Sequence, residues 1–217
     1  MTMNKEPDSR TQTLDGIEYR FSSGWIHRLE EEEHWRSYWQ QLRFILPGMQ
    51  GGDSVLEIGP GSGFLSNYLK SKGYEVTTLD IDDQKSPDIV ANLVEYSFPT
   101  VYDHILAFEV FEHIPFEKFT ESLVRLKRAT RKNLFMSVPL NHKIWFYADL
   151  IIPYLKNISF CIRTKRRKIL AGHHFWELDY KQYTLKYLTE KMKEAGFENV
   201  LHRRVKTLVF FQFRPGA

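Results

Sequence analysis

A glycine-rich turn between a strand-like and a helix-like segment most constrains how this chain can fold. Residues 54–63 read SVLEIGPGSG, and Phe64–Lys72 then has the apolar spacing of a helix that stops before Gly73. Glycines permit a tight turn and leave no Cβ between the backbone and a ligand, while the following helix points free N–H groups at the loop. The pattern predicts a ligand-binding loop, with a purely structural glycine turn as the alternative.

Strand and helix patterns alternate along the rest of the chain. The predicted strands are Ser54–Ile58, Glu75–Leu79, Asp88–Ala91, Asp103–Phe108, Asn133–Val138 and two between Val200 and Phe213; the predicted helices are Phe64–Lys72, Phe116–Thr130 and Leu185–Ala195. Such alternation is typical of a doubly wound α/β fold with a mostly parallel sheet. A loop is expected between Asp82 and Asp88, because a crossover usually needs at least about 10–12 residues.

The segment before the glycine turn is polar and then helical. Residues 1–20 are expected to be loose. A helix is predicted over Trp25–Leu46 from apolar residues at helical spacing, namely Trp25, Leu29, Trp35, Trp39, Leu42 and Ile45. The acidic run Glu30–Glu33 is expected on the solvated side of this helix. We therefore expect a tail and lid-type helix over 1–50, followed by a domain over 51–217.

An insertion of about 141–180 follows the fifth predicted strand. It begins apolar and aromatic over Ile144–Ile152 and becomes basic over Arg163–Lys168. The apolar part is expected to close over a bound substrate. Three interpretations of the basic run stay open: a solvated surface, a site for an anionic acceptor, and peripheral attraction to anionic lipid.

Composition limits the classes of protein to consider. The 217 residues suit one α/β domain, and a formal net charge of +3 permits an anionic ligand without demanding nucleic acid. The single Cys161 rules out an intramolecular disulfide and fits a reducing compartment. The polar start and the lack of about 18 uninterrupted apolar residues argue against secretion and a membrane span. The simplest expectation is a cytoplasmic enzyme or binding protein with at most peripheral membrane contact.

The spacing within the loop differs from the dinucleotide fingerprint G-x-G-x-x-G. The third glycine, Gly63, comes one residue early and Phe64 stands in the fingerprint position, which argues against NAD. Glu57, just before the loop, suits a cationic amino-acid group better than a pyrophosphate.

Asp80 is placed to contact a nucleoside. It ends the second predicted strand, where an acidic side chain accepts hydrogen bonds from ribose hydroxyls in nucleotide-binding α/β domains. Asp82 and Asp83 lie beyond the strand end and are expected to be solvated, so Asp80 is the preferred candidate.

Five ordered segments carry a family resemblance. VLEIGPGSG, VTTLDID, VANLVEYSFP, YDHILAFEVFEHIP and MSVPLN resemble the motif series of class I S-adenosylmethionine-dependent methyltransferases. Within them the chain resembles the small-molecule group that carries a Glu-Val-Leu-Glu-His motif, over roughly Ser54 to Asn141. The resemblance implies a Rossmann-like sheet of about seven strands with the last one antiparallel. It also implies S-adenosylmethionine as the cofactor.

The resemblance further implies which residues bind the cofactor. The glycine loop would hold the methionine part, Asp80 the ribose and Asn92-Leu93 the adenine; the full set is Glu57, Gly59, Pro60, Gly61, Gly63, Asp80, Ile81, Asn92, Leu93, Phe108 and Glu109. Asn92 stands where Asp is more usual, and an amide can still accept a hydrogen bond from the adenine amino group. Phe111 stands where Leu is usual, which changes packing only.

Methyl transfer needs few catalytic groups, since orientation and exclusion of water supply much of the acceleration. The candidates are His113, His173, His174 and Glu177. His113 is either a general base or a loop-orienting residue. The segment 172–177 resembles a His-x-Trp-Glu element of some members, and either lines an acceptor pocket or forms a polar turn that packs Trp176. No metal is expected, because His173 and His174 would point apart on a strand and no thiolate joins them.

The sequence thus predicts a methyltransferase for a small or medium-sized acceptor. O- or N-methylation of a glycan precursor, lipid or secondary metabolite is the leading hypothesis. The alternatives are a methyltransferase for nucleic acid or protein, and a cofactor-binding partner subunit without catalysis. Residues 109–112 read EVFE where an N-P-P-Y-type motif would hold a nucleobase amine, so nucleic acid is not the expected partner.

Overall fold

A computed structural model describes residues 9–14, 16–22, 31–150, 158–169 and 173–216. Some residues for which the sequence made a prediction lie outside this part of the chain, namely residues 1–8, Trp25, Leu29, Glu30, Ile151, Ile152 and Gly172. Every structural statement below concerns the described part of the chain.

The described residues form eleven strands and four α-helices. The strands are β1 (Ser9–Leu14), β2 (Ile17–Ser22), β3 (Ser54–Ile58), β4 (Glu75–Asp80), β5 (Ile89–Val90), β6 (Tyr102–Phe108), β7 (Thr130–Pro139), β8 (His142–Leu150), β9 (Ile158–Lys165), β10 (Phe197–Val205) and β11 (Leu208–Pro215). The helices are α1 (Glu32–Ile45), α2 (Phe64–Ser71), α3 (Phe116–Ala129) and α4 (Leu185–Glu194). The strands and helices predicted between residues 54 and 213 are therefore confirmed, with ends shifted by a few residues.

Seven strands make the central sheet, in the order β10-β11-β7-β6-β3-β4-β5. The neighbours β7-β6-β3-β4-β5 pair in parallel, and β11 is antiparallel to both β7 and β10. The predicted Rossmann-like sheet with an antiparallel last strand is confirmed. The chain winds from β3 outward to β5 and then returns to β6 on the other side of β3. A cleft opens at such a reversal, at the carboxyl ends of the strands.

Helices cover both faces of the sheet, because each presents an apolar stripe to it. On one face α1 and α2 bury Leu42, Ile45, Leu65 and Leu69 against sheet residues such as Phe135. On the other face α3 and α4 bury Phe119, Leu123, Leu188 and Met192 against residues such as Phe211. The two clusters make the doubly wound arrangement that the alternation of elements predicts.

The N-terminal region differs from expectation in two ways. Residues 9–14 and 16–22 are not loose but form the antiparallel hairpin β1–β2. In α1 the buried residues lie at its carboxyl end, including Leu42 and Ile45, while Trp35 and Trp39 are 50% and 59% exposed. Helical spacing predicts which side of the helix is apolar, but it does not show how much of that side is covered by the core. Glu31, Glu32 and Glu33 are exposed as expected.

The short link between β4 and β5 contains no crossover helix, as expected, but a single 3₁₀ turn over Asp83–Lys85. Asp82 caps this turn, since its carboxylate accepts a hydrogen bond of 3.1 Å from the Gln84 N–H. Asp82 is therefore buried rather than solvated, whereas Asp83 is exposed as expected. None of the helices among the described residues combines the length and apolar character that a membrane crossing would require.

A buried polar cluster ties the strands together at the amino-terminal edge of the sheet. The His104 imidazole lies between the carboxylate of Asp53, 2.9 Å from Nε2, and the amide of Asn133, 3.2 Å from Nδ1. Nearby, the carboxylate of Asp103 accepts hydrogen bonds from the backbone and hydroxyl of Ser54 and from Arg131. Burial alone would raise the pKa of Asp103, but these donors outweigh it and hold the pKa well below its ordinary value.

Replacing Asp103 by Asn should destabilise the protein by about 2 kcal/mol at neutral pH, because a charged acceptor of several hydrogen bonds is lost. A carboxylate whose pKa is lowered by folding stabilises the fold above its unfolded pKa, and this contribution disappears as the pH falls through the folded pKa. Urea denaturation in a pH series should therefore show that the difference in free energy of unfolding between the wild type and Asp103→Asn shrinks below about pH 4. Glu121→Gln, in an exposed ion pair with Lys118, is the matched control. A difference that stays constant with pH would contradict this account.

Candidate active site

A cavity of ≈ 690 Å³ opens at the carboxyl edge of the sheet, beside the ends of the neighbouring strands β3 and β6. This volume lies within the range of about 300–1,000 Å³ that is usual for small-molecule sites. Its wall brings together the turn after β3, the ends of β4 and β6, and residues from β2, α1 and the segment after β9. Of the predicted cofactor residues, all line it except Gly63: Glu57, Gly59, Pro60, Gly61, Asp80, Ile81, Asn92, Leu93, Phe108 and Glu109.

The glycine loop forms as the sequence predicts. Gly59, Gly61 and Gly63 all have positive φ, at 68°, 56° and 73°, a region that favours glycine. A Cβ on Gly59 would come within 2.6 Å of Val110 Cγ2, so this position also needs the absence of a side chain. Gly63 is the N-cap of α2 and donates its N–H to the Pro60 carbonyl at 2.9 Å. It shapes the loop and does not line the cavity.

Helix α1 packs directly on the glycine loop. The Tyr38 hydroxyl lies 2.6 Å from the Ser62 hydroxyl, and the Tyr38 ring stacks on Phe64 with centroids 4.5 Å apart. As a result α1 contributes wall residues that the sequence did not single out, namely His34, Ser37, Tyr38 and Gln41. Tyr19 of β2 also lines the cavity; it lies in the stretch expected to be loose, so no sequence signal pointed to it.

Glu57 is a buried carboxyl at the start of the loop. Burial raises its pKa to about 8, although hydrogen bonds from Ser66 and the charge of Lys70 act in the opposite direction. Its Oε2 is buried and has no hydrogen-bond partner. A desolvated carboxyl with one unpartnered oxygen, on a residue of the cavity wall, is suited to a cationic group of a ligand, which would favour its ionised form.

Asp80 lies at the end of β4, as expected for a ribose-binding carboxylate, and it is buried. Its Oδ1 accepts the Asp82 N–H at 2.9 Å, and its Oδ2 pairs with Lys85 Nζ at 3.0 Å. Lys85 also lines the cavity and was not predicted. A carboxylate has about four acceptor positions, so hydroxyl donors can still bind beside these partners.

Asn92 meets the cavity from the turn after β5. Its Oδ1 accepts the Val94 N–H at 2.9 Å, so the oxygen expected to read the adenine amino group already has a local partner. Its Nδ2 is buried and has no partner. The amide therefore has one unpaired donor on a residue of the cavity wall, which would suit a ring nitrogen of a purine.

Two glutamates follow β6 with different environments. Glu109 has a φ of 55°, unusual for a side-chain-bearing residue, and its N–H donates to the Ser137 carbonyl at 3.1 Å. Glu112 is buried, and its pKa lies well above the ordinary value, first because of burial and then because Glu109 and Glu177 add negative charge. Backbone strain and a suppressed charge thus both occur beside the cavity, which is typical of functional sites.

Three histidines form a cluster at the cavity mouth. The ring centroid of His113 lies 5.0 Å from the centroid of His173 and 5.0 Å from that of His174, and the latter two are 4.8 Å apart. The expectation that His173 and His174 point apart on a strand is wrong: the segment is not a strand, and one potential ligand atom from each histidine lies within 4.8 Å of the others. The three imidazoles are close enough together to bind the same ligand group, the same proton or the same divalent cation.

His113 is neutral at physiological pH. Its pKa is lowered to about 3, first by burial and then by the nearby His174 and His173, while a backbone hydrogen bond to His173 acts in the opposite direction. A neutral imidazole offers one donor and one acceptor and adds no positive charge to the cavity.

Glu177 lies behind His174. The two side chains form a hydrogen bond of 2.7 Å between Nδ1 and Oε1, and Glu177 is buried outside the cavity wall. A carboxylate only accepts, so Nδ1 carries the proton of this hydrogen bond, and the neutral form of the imidazole would have its lone pair on Nε2. Glu177 thus orients His174 through this hydrogen bond and does not itself line the cavity.

The described residues of the segment 172–177 pack Trp176 into the domain and also place His173 and His174 on the cavity wall. Trp176 is fully buried and donates from Nε1 to the carbonyls of Phe111 and Ile114, at 3.0 and 3.2 Å. The Phe175 N–H donates to the Glu112 carbonyl at 2.8 Å. These bonds fasten the segment to the turn after β6 and so bring the histidines to the cavity.

The profile of the family described as "Methyltransferase domain" matches residues 25–202, which is most of the chain. The chain belongs to this methyltransferase family. The resemblance seen in the ordered motifs is confirmed, and with it S-adenosylmethionine as the cofactor.

Relatives by sequence match part of this methyltransferase. A ubiquinone biosynthesis O-methyltransferase of Proteus mirabilis is 29% identical over 139 residues, which cover 54% of this chain and 56% of the relative. A ribosomal RNA small subunit methyltransferase A of Francisella tularensis subsp. novicida is 33% identical over 66 residues, covering 30% of this chain and 25% of the relative. The matched part is thus about half or less of the length of these relatives.

Solved structures of similar fold include two methyltransferases with bound cofactor species. An N-methyltransferase of Bradyrhizobium japonicum in complex with S-adenosylhomocysteine has a TM-score of 0.58 at 13% identity, over 88% of this chain and 91% of that one. A magnesium protoporphyrin IX methyltransferase of Synechocystis with bound S-adenosylmethionine has a TM-score of 0.58 at 14% identity, over 88% and 84%. At such identity the likeness establishes the shared fold alone.

Binding of S-adenosylhomocysteine should release protons because of Glu57. In the free protein at pH 7 a carboxyl with a pKa of about 8 is mostly protonated, and the ligand ammonium favours its ionised form. Titration calorimetry in buffers of different ionisation enthalpy should therefore detect release of most of one proton per ligand at pH 7. Affinity should fall as the pH is lowered below 8.

Glu57→Gln is the diagnostic variant for this prediction, because it keeps the size and loses the titration. It should bind more weakly and without proton release. If the wild-type enthalpy is the same in every buffer, Glu57 does not ionise on binding and its assignment to the ligand ammonium is wrong.

Proposed function

We propose that this protein transfers a methyl group from S-adenosylmethionine to a hydroxyl or amine of a small or medium-sized acceptor. The observation that carries the proposal is the His174–Glu177 pair, which presents an oriented imidazole to the same cavity as the glycine loop. A cofactor loop and a positioned base on one cavity are the two elements that such a transfer requires.

The cofactor-binding wall fits S-adenosylmethionine, which supplies a methyl group activated by a sulfonium. The unpartnered Glu57 Oε2 suits its ammonium, the side-chain-free loop at Gly59 and Gly61 suits close approach, and Asp80 suits ribose hydroxyls. The free Nδ2 of Asn92 suits the adenine ring. Phe108 and Glu109, at the end of β6, lie on the same wall as the loop and would flank the sulfonium.

The histidine cluster would hold the acceptor. His113 is neutral, with a pKa near 3, so it can hydrogen-bond an acceptor without placing a positive charge beside a cationic cofactor. His174 Nε2 would take the proton of an acceptor hydroxyl as its oxygen attacks the methyl carbon, or the proton of an ammonium before the resulting amine attacks. The bond from the methyl carbon to sulfur would break, and S-adenosylhomocysteine would leave as a neutral thioether. Glu177 fixes the tautomer that makes this proton transfer possible and stabilises the imidazolium that forms.

The Proteus relative acts in ubiquinone biosynthesis as an O-methyltransferase, which supports a hydroxyl acceptor on a small molecule. A glycan precursor, lipid or secondary metabolite remains the proposed class. The ribosomal RNA methyltransferase matches over only a quarter of its own length, so it gives little support to nucleic acid as the acceptor.

A lid role for the N-terminal part also belongs to this proposal. Tyr38 of α1 contacts the glycine loop, and Tyr19 of β2 lines the cavity. The division into a segment over 1–50 and a domain over 51–217 stays a prediction, and these contacts support a covering role for the first segment.

His174→Gln should lower kcat for methyl transfer by about a hundredfold, because the general base is lost. Glu177→Gln should lower it by about tenfold, since the imidazole loses its orienting partner. The measurement is incorporation of labelled methyl from S-adenosylmethionine, after a panel of phenols, alcohols and amines has identified an acceptor. S-adenosylhomocysteine affinity should be unchanged in both variants.

His202→Gln, on exposed β10, is the matched control and should retain full activity. An unchanged kcat in His174→Gln would contradict the assignment of the base. A protein that binds S-adenosylhomocysteine but methylates no acceptor would favour the silent partner subunit.

A divalent cation held by the three histidines is a second candidate for activating the acceptor, because their ligand atoms converge within 4.8 Å. Activity lost in EDTA and restored by zinc or manganese would favour this route. Full activity in EDTA would favour the imidazole base.

A further inference from the structure

The hairpin β8–β9 carries an apolar face that does not contribute to the core clusters. Cross-strand pairing puts Phe146 opposite Ile162, Ala148 opposite Phe160 and Leu150 opposite Ile158. Because alternate residues of a strand share a face, these side chains lie on one side of the hairpin. We call this side the outward face; its large side chains, each between 49% and 58% exposed, are Phe146, Leu150, Ile158, Phe160 and Ile162.

The opposite face of the hairpin contacts the rest of the protein. Tyr147 lies on this inner face, with its ring centroid 5.4 Å from Nζ of Lys206, in the turn between β10 and β11. Arg163 donates from Nη1 to the Lys206 carbonyl at 3.2 Å. These contacts hold the hairpin against the domain by its polar side, so the apolar side is directed away from the domain.

Trp145 extends the outward face toward the base of the hairpin. It occupies a bulge between the paired residues Ile144 and Phe146 and is 62% exposed. Its Nε1 donates to the Thr164 hydroxyl at 2.9 Å, and Lys143 Nζ lies 3.9 Å from its ring centroid. An indole held between an apolar surface and cationic side chains is the arrangement favoured at a membrane–water interface.

Basic residues lie at the same end of the hairpin. Lys165 pairs with His142 in the first cross-strand pair and Lys143 with Thr164 in the next, and the chain continues with Arg166, Arg167 and Lys168. All are exposed except Arg166, which is half-buried. An apolar face bordered by cations complements an anionic lipid surface, because the apolar side chains can contact the acyl chains while the cations contact the headgroups.

We propose that the outward face of β8–β9 docks on an anionic lipid bilayer, with its apolar side chains at the boundary between headgroups and acyl chains. Exposed apolar surface of this extent marks an interaction site. A second copy of the chain fits less well, because the described residues of the outward face would cover its apolar side chains but offer no carboxylate to the basic residues beside it. Nucleic acid would use the cations but leave the apolar side chains without a partner.

Co-sedimentation of the purified protein with vesicles tests the proposal. Binding should be at least about tenfold stronger to phosphatidylcholine vesicles that contain phosphatidylglycerol than to pure phosphatidylcholine, and should weaken with salt. The double variant Phe160→Ser, Ile162→Ser should lose about tenfold or more in partitioning. Arg167→Glu with Lys168→Glu should lose a similar factor on anionic vesicles only.

Val200→Ser with Leu201→Ser is the matched control, because these apolar residues of β10 are 45% and 44% exposed outside the hairpin. It should bind vesicles like the wild type. Circular dichroism and thermal melting verify that each variant is folded; the replaced side chains are all exposed, so little destabilisation is expected.

Three outcomes would overturn the proposal. One is equal binding to both kinds of vesicle, and another is unchanged binding by the Phe160→Ser, Ile162→Ser variant. The third is a dimer in light scattering that dissociates in this variant while no vesicle binding is detected, which would make the face a contact between copies. Because the readout needs neither cofactor nor acceptor, it is independent of the proposed methyl transfer.

Discussion

The fold and the site both depend on the meeting of two turns, one after β3 and one after β6. Gly59 approaches Val110 so closely that a Cβ would lie 2.6 Å from its Cγ2. On the other side, Glu109 keeps a φ of 55° while its N–H bonds to the Ser137 carbonyl. One missing side chain and one strained backbone position therefore fix the distance between the cofactor loop and the end of β6.

The cavity between these turns carries less charge than its residues suggest. Burial raises the pKa of Glu57 and Glu112 and lowers that of His113, so the neutral form is favoured in each case. The protein meets the cost of desolvating these groups through its folding free energy. A cationic ligand can then recover part of that cost by pairing with a carboxyl, which couples binding to proton release at Glu57.

The sequence predicted what local pattern and burial decide. The buried parts of the parallel strands are mostly apolar and the glycine loop has few conformations, so β3 to β7 were predicted. All but one of the residues proposed for the cofactor also line the cavity. The arrangement of the rest of the cavity was not predicted, because it depends on contacts between distant segments. Tyr19 reaches the cavity through a hairpin of polar sequence, and His173 and His174, although already candidates, converge on His113 only through the anchoring of Trp176. Helical periodicity likewise could not show where α1 leaves the core.

The position of β11 has a consequence for the order in which the sheet can form. This strand, the last one described, is inserted between β7 and β10 and pairs with both. Until residues 208–215 have left the ribosome, β7 is an unprotected edge and β10 has no partner among the described strands. The growing chain therefore exposes an aggregation-prone strand edge until β11 has emerged, and only then can the sheet reach its native topology.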